Sequence, residues 1–431
     1  MKHLKPTTGL PDGASQDTAD MVQIMLARIA EGGEDVAREY AQNLDRWSGP
    51  ICVGRDDIEA AKSMISDDLR DAIDYAHANI LAFAQAQRAT CTEFEVELRP
   101  GLVAGQRQIP LSSAGCYVPG GRYAHIASAL MTITTARAAG VGHVTACSPP
   151  KQGQGIAPAI LYAMDLAGAD TILALGGVQG VAAMANGLFG AQKADILVGP
   201  GNQFVAEAKR QLFGPTGIDM VAGPTDSMVI ADNTADPLTV AWDLAGQAEH
   251  GYNSPVWLVT DCAQLAQQVL ELVPTCIAEL PQPNRDSAEA AWAALGEVML
   301  CDHRAEMAAT ANEYAPEHLH VQAADLTWWK TALTAYGSLF LGENSTVAFG
   351  DKAAGPNHVL PTSGAARYTG GLSVHKFIKT VTWQTADPVA IPDLARATAT
   401  ISRFEGMEGH ARTADIRLLK HTGQLKLAAS H

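Results

Sequence analysis

Residues 171–202 read TILALGGVQGVAAMANGLFGAQKADILVGPGN, in which two short apolar segments each run into a glycine turn. Thr171–Leu175 and Asp195–Val198 have the length and composition of buried strands, and each turn is followed by residues with helical spacing. Strands that alternate with helices in this way predict an α/β fold with a mostly parallel sheet. We expect ligands at the carboxyl ends of its strands.

The same alternation extends upstream of this segment. His143–Cys147 is a predicted strand, and Ile160–Leu166 is a predicted helix that ends near Gly168. The glycine turns at residues 176–177 and 199–202 each connect a strand to a helix, so their amides could face an anion. Neither turn contains the GxGxxG pattern, and both are equally consistent with ordinary strand-to-helix turns.

The flanking regions predict packing elements rather than chemistry. Helical spacing predicts helices over about residues 20–45 and 56–88, and period-two alternation predicts strands at residues 94–98 and 108–111. A basic helix is predicted over residues 411–426 near the C-terminus.

The composition indicates a large globular chain. With 431 residues, of which 47% are hydrophobic and 18% charged, it can bury two or more cores. Thirty basic against 46 acidic residues give a net charge of −16, which disfavours nonspecific binding to nucleic acid or anionic membranes. The seven cysteines form no CxxC pair, and residues 1–6 lack the apolar core of a signal peptide. We therefore expect a cytoplasmic protein with no nucleic-acid or membrane partner.

Residues 247–251, QAEHG, contain a candidate metal site. Gln247 and His250 are three residues apart, so they share one face of a helix that is predicted to begin at Asp236–Pro237 and to end at Gly251. Two ligands do not complete a metal centre, and by itself this histidine is also consistent with a surface or capping residue.

Three further segments bring imidazole and carboxyl groups together. Residues 315–319, APEHL, place Glu317 beside His318, either as an acid/base couple or as two solvated side chains. Residues 350–361, GDKAAGPNHVLP, hold a carboxylate and an imidazole in a loop punctuated by glycine and proline. Residues 404–410, FEGMEGH, end in a histidine that is equally consistent with a surface position.

In this order and spacing, four motifs make nearly the whole chain resemble the histidinol dehydrogenase family. They are GPGN at 199–202, QAEHG at 247–251, APEHL at 315–319 and GPNHVLPT at 355–362. The resemblance implies two incomplete Rossmann-like α/β domains, a helical N-terminal segment and a small C-terminal segment that is swapped in a homodimer with shared active sites. The implied limits are residues 1–20 for the N-terminal segment, 21–116 with 228–369 for the first α/β domain, 117–227 for the second, NAD-binding domain and 370–431 for the C-terminal segment.

The resemblance also implies cofactors and site residues. Zn²⁺ would be held by Gln247, His250, Asp351 and His410, the last from the neighbouring subunit, and these ligand types suit zinc without excluding Mn²⁺ or Co²⁺. The remaining implied roles are NAD binding by Tyr117, Gln179 and Asn202, catalysis by Glu317 and His318, and substrate binding by Thr225, His358 and Glu405. Thr225 stands where histidinol dehydrogenases usually have serine.

Within that family, several segments resemble a branch that oxidises 2,3-dihydroxypropane-1-sulfonate. They are GRYAHIAS at 121–128, GDK at 350–352, LSVHKF at 372–377 and ARTAD at 411–415. This resemblance implies oxidation of the (R)-sulfonate alcohol to (R)-3-sulfolactate with two NAD reduced. The small anionic substrate would meet Arg122 and His125. Oxidation of L-histidinol is the alternative within the family, and a noncatalytic metal- or nucleotide-binding relative is the alternative outside it.

Overall fold

The structure, a computed structural model, describes residues 1–9, 16–120, 124–221 and 223–424. Residues 1–88 and 110–377 form one compact unit, and residues 89–109 and 378–431 form a second. The predicted α/β fold class is confirmed, and the structure contains both parallel and antiparallel strand pairs. Among the described helices, none has the length and apolar character that crossing a lipid bilayer requires.

The strands are short, as the apolar runs in the sequence predict. They are β1 (Lys2–Lys5), β2 (Phe94–Arg99), β3 (Leu102–Pro110), β4 (Ser113–Tyr117), β5 (His143–Ser148), β6 (Thr171–Ala174), β7 (Ile196–Val198), β8 (Gly217–Ile218), β9 (Ser227–Ala231), β10 (Val256–Thr260), β11 (Glu297–Leu300), β12 (His318–Gln322), β13 (Ser338–Leu341) and β14 (Ile378–Ala386).

The α-helices alternate with most of these strands. They are α1 (Gln16–Tyr40), α2 (Arg55–Ser63), α3 (Asp67–Ala89), α4 (Ile126–Ala139), α5 (Pro158–Leu166), α6 (Gly177–Asn186), α7 (Gln203–Leu212), α8 (Pro237–Ala248), α9 (Ala263–Glu279), α10 (Asn284–Leu295), α11 (Arg304–Tyr314), α12 (Leu326–Ala332), α13 (Val347–Lys352), α14 (Ile391–Phe404) and α15 (Glu408–His421).

A five-stranded sheet in the first unit contains the βαβ run predicted from residues 143–202. Its order is β6-β5-β4-β7-β8, and every neighbouring pair is parallel. Helix α6 is apolar on nearly all sides because α1 and α7 pack against it, so little of its surface meets water. The Rossmann-like assignment itself stays a prediction.

A six-stranded sheet in the same unit has the order β1-β11-β10-β9-β12-β13. Only the edge strand β1 is antiparallel to its neighbour among these pairs. Every residue of β9 and β12 is buried, which fits their place in the interior of a parallel sheet. The carboxylate of Asp236 accepts a hydrogen bond from the Thr239 amide at 2.8 Å, so α8 begins where the sequence predicts.

The N-terminal helices pack around the five-stranded sheet. Helix α1 contacts α6 and α7, and α2 contacts α5. The single helix predicted over residues 56–88 is interrupted between Ser63 and Asp67, where the Ser66 hydroxyl accepts a hydrogen bond from the Leu69 amide. Packing of this kind does not show which segments fold independently, so the domain limits predicted above stay a prediction.

The second unit contains a three-stranded sheet of order β14-β3-β2 and the helices α14 and α15. Strands β2 and β3 are antiparallel, and the Trp383 ring of β14 packs on Gly105, where a Cβ atom would lie only 2.4 Å from it. Helices α14 and α15 pack together through small alanine side chains. The basic helix begins at Glu408, earlier than predicted, and ends at His421. The swapping of this segment between subunits stays a prediction.

Candidate active site

Glu317 and His318 stand at the amino-terminal end of β12 in the six-stranded sheet. Their exposed fractions are 5% and 3%, so both ionisable groups are buried. Asp226 and Thr225 directly precede β9, the neighbouring strand, and therefore lie at the same edge. This edge is opposite to the carboxyl ends at which ligands of parallel sheets are expected.

Asp226, which precedes the neighbouring strand, holds the predicted catalytic residues Glu317 and His318 in place through hydrogen bonds. Its carboxylate accepts hydrogen bonds from the Glu317 amide at 2.7 Å and from the Ser363 amide at 3.0 Å. Its own amide donates to Glu317 Oε2 at 3.2 Å, and its carbonyl accepts from the His318 amide at 3.2 Å. Sequence reasoning missed this residue because no local motif shows that the start of β9 lies beside the start of β12.

Asp351 lies between two imidazoles. Its Oδ1 is 3.3 Å from His318 Nε2, and its Oδ2 is 3.7 Å from His250 Nε2. On the other side of the His318 ring, Nδ1 is 3.7 Å from Glu317 Oε2, and neither ring nitrogen makes a hydrogen bond. The structure thus brings together four residues that the sequence places in three separate motifs.

Burial and neighbouring charges shift the pKa values of Glu317, His318 and Asp351. It raises the pKa of Glu317 to about 8, with Asp226 and Asp351 adding to the shift and His318 opposing it. Burial alone would lower the pKa of His318, but the carboxylates of Glu317 and Asp351 outweigh it and raise that pKa. Burial alone would raise the pKa of Asp351, but the two imidazoles lower it well below its usual range. Asp351 is therefore an anion held ready beside His250 and His318.

The predicted zinc ligands in this unit fit a divalent cation by their chemistry. Gln247, on the last turn of α8, is 6% exposed, and its carbonyl Oε1 has no hydrogen-bond partner. His250 lies two residues beyond the end of α8, and its amide still donates to the Gln247 carbonyl, so the expected helical turn between them persists. In the described ranges no three His, Cys, Asp or Glu side chains already form a metal-binding group. An orphaned amide oxygen, an imidazole and a carboxylate are nevertheless suitable ligands.

His358 is held on both sides of its ring. Its Nδ1 is 2.8 Å from the backbone carbonyl of Asp351, and its Nε2 is 3.0 Å from the hydroxyl of Ser128 in α4. Because a carbonyl only accepts, Nδ1 carries the proton and Nε2 accepts from Ser128. Burial also lowers the pKa of His358, which favours this neutral form. A substrate that bonds to Nε2 must therefore replace the Ser128 hydroxyl, a partner that the motifs did not reveal.

The glycine turn after β6 is closed by protein groups. The Gly176 amide donates to the Asp45 carboxylate at 3.1 Å, and the Gly177 amide donates to the Tyr117 hydroxyl at 3.1 Å. Asp45 also accepts from the Gln179 side-chain amide at 2.8 Å. An anion at these two amides would have to displace Asp45 and Tyr117, so the ordinary-turn interpretation fits this turn better than a phosphate loop.

The turn after β7 is closed in the same way. The Gly199 amide donates to Asp219 at 2.8 Å, and Asp219 is paired with buried Lys209 at 2.5 Å. Asn202 caps α7, its side-chain oxygen accepting from the amides of residues 204 and 205. Its amide nitrogen, which only donates, remains the group that a cofactor would meet.

Gln179 is the predicted NAD contact with the clearest opening for a ligand. The residue is 1% exposed, and its Oε1 has no hydrogen-bond partner. A buried acceptor without a donor is costly, and the hydroxyl groups of a dinucleotide are donors. Tyr117, Gln179 and Asn202 all lie at the carboxyl-terminal side of strands in the five-stranded sheet, so their arrangement fits NAD.

The remaining predicted residues have different surroundings. Thr225 is half-buried beside Asp226, and His125 precedes the first turn of α4. Arg122 lies outside the described residues. In the second unit, Glu405 directly follows α14 and His410 lies in α15; both are exposed, and their part in the site stays a prediction.

Comparison with known proteins gives a family match over almost the full length. The family profile described as histidinol dehydrogenase matches residues 11–418. A histidinol dehydrogenase homolog of Ruegeria pomeroyi is 74% identical over 97% of this chain and 96% of its own length. A sulfopropanediol 3-dehydrogenase of the same organism is 59% identical over 98% of this chain and 97% of its own.

The solved structures agree with the sequence comparison. The crystal structure of histidinol dehydrogenase from Elizabethkingia anophelis superposes with a TM-score of 0.90 at 34% identity. The match covers 95% of this chain and 94% of that one, so the fold is shared as a whole.

Proposed function

Because the chain belongs to the histidinol dehydrogenase family, we propose that it oxidises the primary alcohol of 2,3-dihydroxypropane-1-sulfonate to the carboxylate of 3-sulfolactate, with zinc and two NAD. The family consists of NAD-dependent, zinc-binding dehydrogenases that act on alcohol groups. NAD-dependent oxidation of an alcohol group thus follows from membership of the family. The sulfonate substrate, the roles of the individual residues and the homodimer are the proposal.

The choice of substrate rests on a group of basic residues, called here the basic corner, that consists of His125, Lys352, His250 and His358. Burial lowers the pKa of His125 to about 4, and Lys352, His358 and His250 add to this shift, because positive charge on any of these groups disfavours protonation of His125. His125 is therefore neutral at pH 7, and Lys352 supplies the positive charge. A concentration of basic groups is unusual in a chain with a net charge of −16.

This corner suits a sulfonate better than histidinol. A sulfonate is a permanent anion that needs donors and positive charge, whereas the amine and imidazole of histidinol need acceptors. Lys352 would attract the first substrate and repel the cationic form of the second. The name of the 59% identical relative supports the same choice.

When bound, zinc supplies polarisation of the substrate oxygen, and NAD supplies the hydride acceptor. The residues of this chain move the protons. His318 has a ring nitrogen without a hydrogen-bond partner and is the residue placed to accept the hydroxyl proton. The neighbouring Asp351 carboxylate raises its pKa, so compensation of that charge by a cation would favour the neutral, proton-accepting imidazole.

Glu317 serves the second oxidation, which needs a water molecule added to the aldehyde carbonyl. With a pKa raised to about 8 by burial, it is close to the value that suits a general base near neutral pH. Asp226 holds both its amide and its Oε2, so the carboxylate has a defined orientation. One site can then remove four electrons in two steps.

Oxidation of L-histidinol is the second candidate. It is supported by relatives of that name, such as the histidinol dehydrogenase of Haloarcula marismortui, which is 40% identical over 93% of this chain. The two candidates share the catalytic pair and differ in the charge of the substrate.

A side-by-side assay of NADH formation with both alcohols tests the proposal. We expect a much higher kcat/KM for dihydroxypropanesulfonate, and Lys352→Met should raise its KM about 10-fold, as loss of one charged hydrogen bond does. The KM for NAD should not change in this variant. Lys330→Met, which replaces an exposed lysine of α12, is the control and should change neither KM. A preference for histidinol would establish the second candidate instead.

A further inference from the structure

A carboxylate outside the reacting groups, that of Asp243, is the centre of a buried polar junction. Its Oδ2 accepts a hydrogen bond from Gln322 Nε2 at 2.6 Å, and its Oδ1 accepts from the Thr346 hydroxyl at 2.7 Å. The ring of His320 lies on the same side, with Nδ1 3.3 Å from Asp243 Oδ2. The Asp243 side chain is only 12% exposed, so water does not readily replace these partners.

The contacts at the junction define how the side chains of His320 and Gln322 are oriented. His320 is fully buried, and its Nε2 lies 2.9 Å from the Gly342 carbonyl, so Nε2 carries a proton. The Gln322 amide nitrogen donates one hydrogen to Asp243 and faces His320 Nδ1 at 3.4 Å with the other. Reversing the Gln322 amide would set its oxygen against the Asp243 carboxylate, so Asp243 determines the orientation of both neighbours.

Each partner of Asp243 belongs to an element that carries part of the proposed site. Asp243 lies in α8, one turn before Gln247, and therefore on the same face of the helix. His320 and Gln322 follow His318 in β12. Thr346 is the N-cap residue of α13, the short helix that contains Asp351.

We propose that Asp243 is a positioning residue that sets the zinc affinity of this protein by fixing α8 and α13 against β12. The inference rests on the zinc site of the proposed function. Among the described residues, the Asp243 side chain hydrogen-bonds to Gln322 and Thr346 and to none of the proposed zinc ligands, so it acts through these three elements. Helix α13 has six residues, too few to hold its place without an anchor at its first turn.

A merely stabilising role is distinguishable, because the same helix has a second carboxylate at its other end. Asp236 caps α8 through the Thr239 amide and hydroxyl, both at 2.8 Å, and contacts neither β12 nor α13 in these bonds. Asp236→Ala should therefore destabilise α8 while leaving the junction intact.

The test compares zinc dissociation constants, measured by competition with a chromogenic chelator, with melting temperatures from calorimetry. We expect Asp243→Asn to weaken zinc binding by about 10-fold or more, because an asparagine presents its amide to the donor of Gln322 or Thr346. Thr346→Val, which keeps the shape of the side chain, should weaken it in the same direction. The double variant should increase the zinc dissociation constant by less than the product of the two separate fold-changes, since both substitutions remove the same contact.

Excess zinc should restore NADH formation in Asp243→Asn, whereas Asp236→Ala should lower the melting temperature and leave the zinc dissociation constant unchanged. The inference is overturned if wild-type and Thr346→Val proteins bind zinc equally, or if Asp236→Ala loses as much zinc affinity as Asp243→Asn. Thr346→Val keeps the test decisive if Asp243→Asn does not fold. A wild-type protein that binds no zinc would contradict the proposed zinc site itself, and this inference with it.

Discussion

The five-stranded and six-stranded sheets of the first unit have their predicted site residues at opposite strand ends. In the five-stranded sheet, Tyr117 and the glycine turns lie at carboxyl-terminal strand ends, and the amides of Gly176, Gly177 and Gly199 are bonded to protein groups. In the six-stranded sheet, the predicted catalytic pair lies at the amino-terminal end of β12, and buried polar atoms of His318 remain without hydrogen bonds. A glycine turn after a strand therefore does not by itself locate a ligand site in this protein. Buried polar atoms without a hydrogen-bond partner are the better indicator.

The largest effect should come from the catalytic edge. Replacing His318 by Asn removes the proposed acceptor of the hydroxyl proton, and we expect kcat for the alcohol to fall by about 10² to 10⁴-fold. Glu317→Gln should instead slow oxidation of the aldehyde more than that of the alcohol. Rapid-mixing measurements of NADH formation from each substrate separate the two steps. Equal and small losses in both variants would remove this edge from the mechanism.

Metal content tests the prediction that His410 of the partner subunit completes the proposed zinc site. We expect His410→Ala to reduce zinc affinity by more than the roughly 10- to 100-fold that outer-shell changes cause, because it removes a proposed ligand. Elemental analysis after dialysis gives the readout, and His421→Ala, a histidine at the end of the same helix, is the matched control. Full zinc occupancy in His410→Ala would show that the ligand assignment is wrong.

The pH dependence of the second step should follow the raised pKa of Glu317. A base acts in its ionised form, and burial raises this pKa to about 8, so aldehyde oxidation should accelerate as the pH rises from 7 to 9. The expected gain is about 10-fold, and Glu317→Gln should abolish it. A rate that is constant over this range in the wild-type enzyme would mean that Glu317 is already ionised or uninvolved.

The smallest effect should come from the closed glycine turn. Asp45→Ala removes the acceptor of the Gly176 amide and of Gln179, and we expect NAD to bind a few-fold more weakly, consistent with the loss of about 1 kcal/mol of hydrogen bonding. Asp45→Asn retains an acceptor oxygen and should behave nearly like wild type. Fluorescence titration with NADH provides the dissociation constants. Tighter binding in Asp45→Ala would reveal the Gly176 amide as a phosphate site that Asp45 covers.

The fold was largely predictable, because the spacing of apolar residues and the glycine and proline turn signals both act over a few neighbouring residues. The strands at residues 143–148, 171–174 and 196–198 and the start of α8 at Asp236 follow from apolar runs, glycine turns and a capping pair. The break near Ser66 was not predictable from spacing, because apolar residues continue through it. Motifs predicted the candidate residues Glu317, His318, His250 and Asp351, but not the residues that hold such groups in place. Asp226, Ser128 and Asp243 act on partners at least 77 residues away, and no local pattern records such contacts.

The proposed activity is a four-electron oxidation of a sulfonated alcohol, and the number of NADH molecules formed for each alcohol distinguishes it from a two-electron oxidation. Purified, zinc-loaded protein is given limiting dihydroxypropanesulfonate and excess NAD, and NADH is measured by absorbance while the product is identified by mass spectrometry. We predict two NADH for each alcohol consumed, with sulfolactate as the product and no accumulated aldehyde. One NADH for each alcohol with free aldehyde, or no turnover of the sulfonate while histidinol is oxidised, would contradict the account.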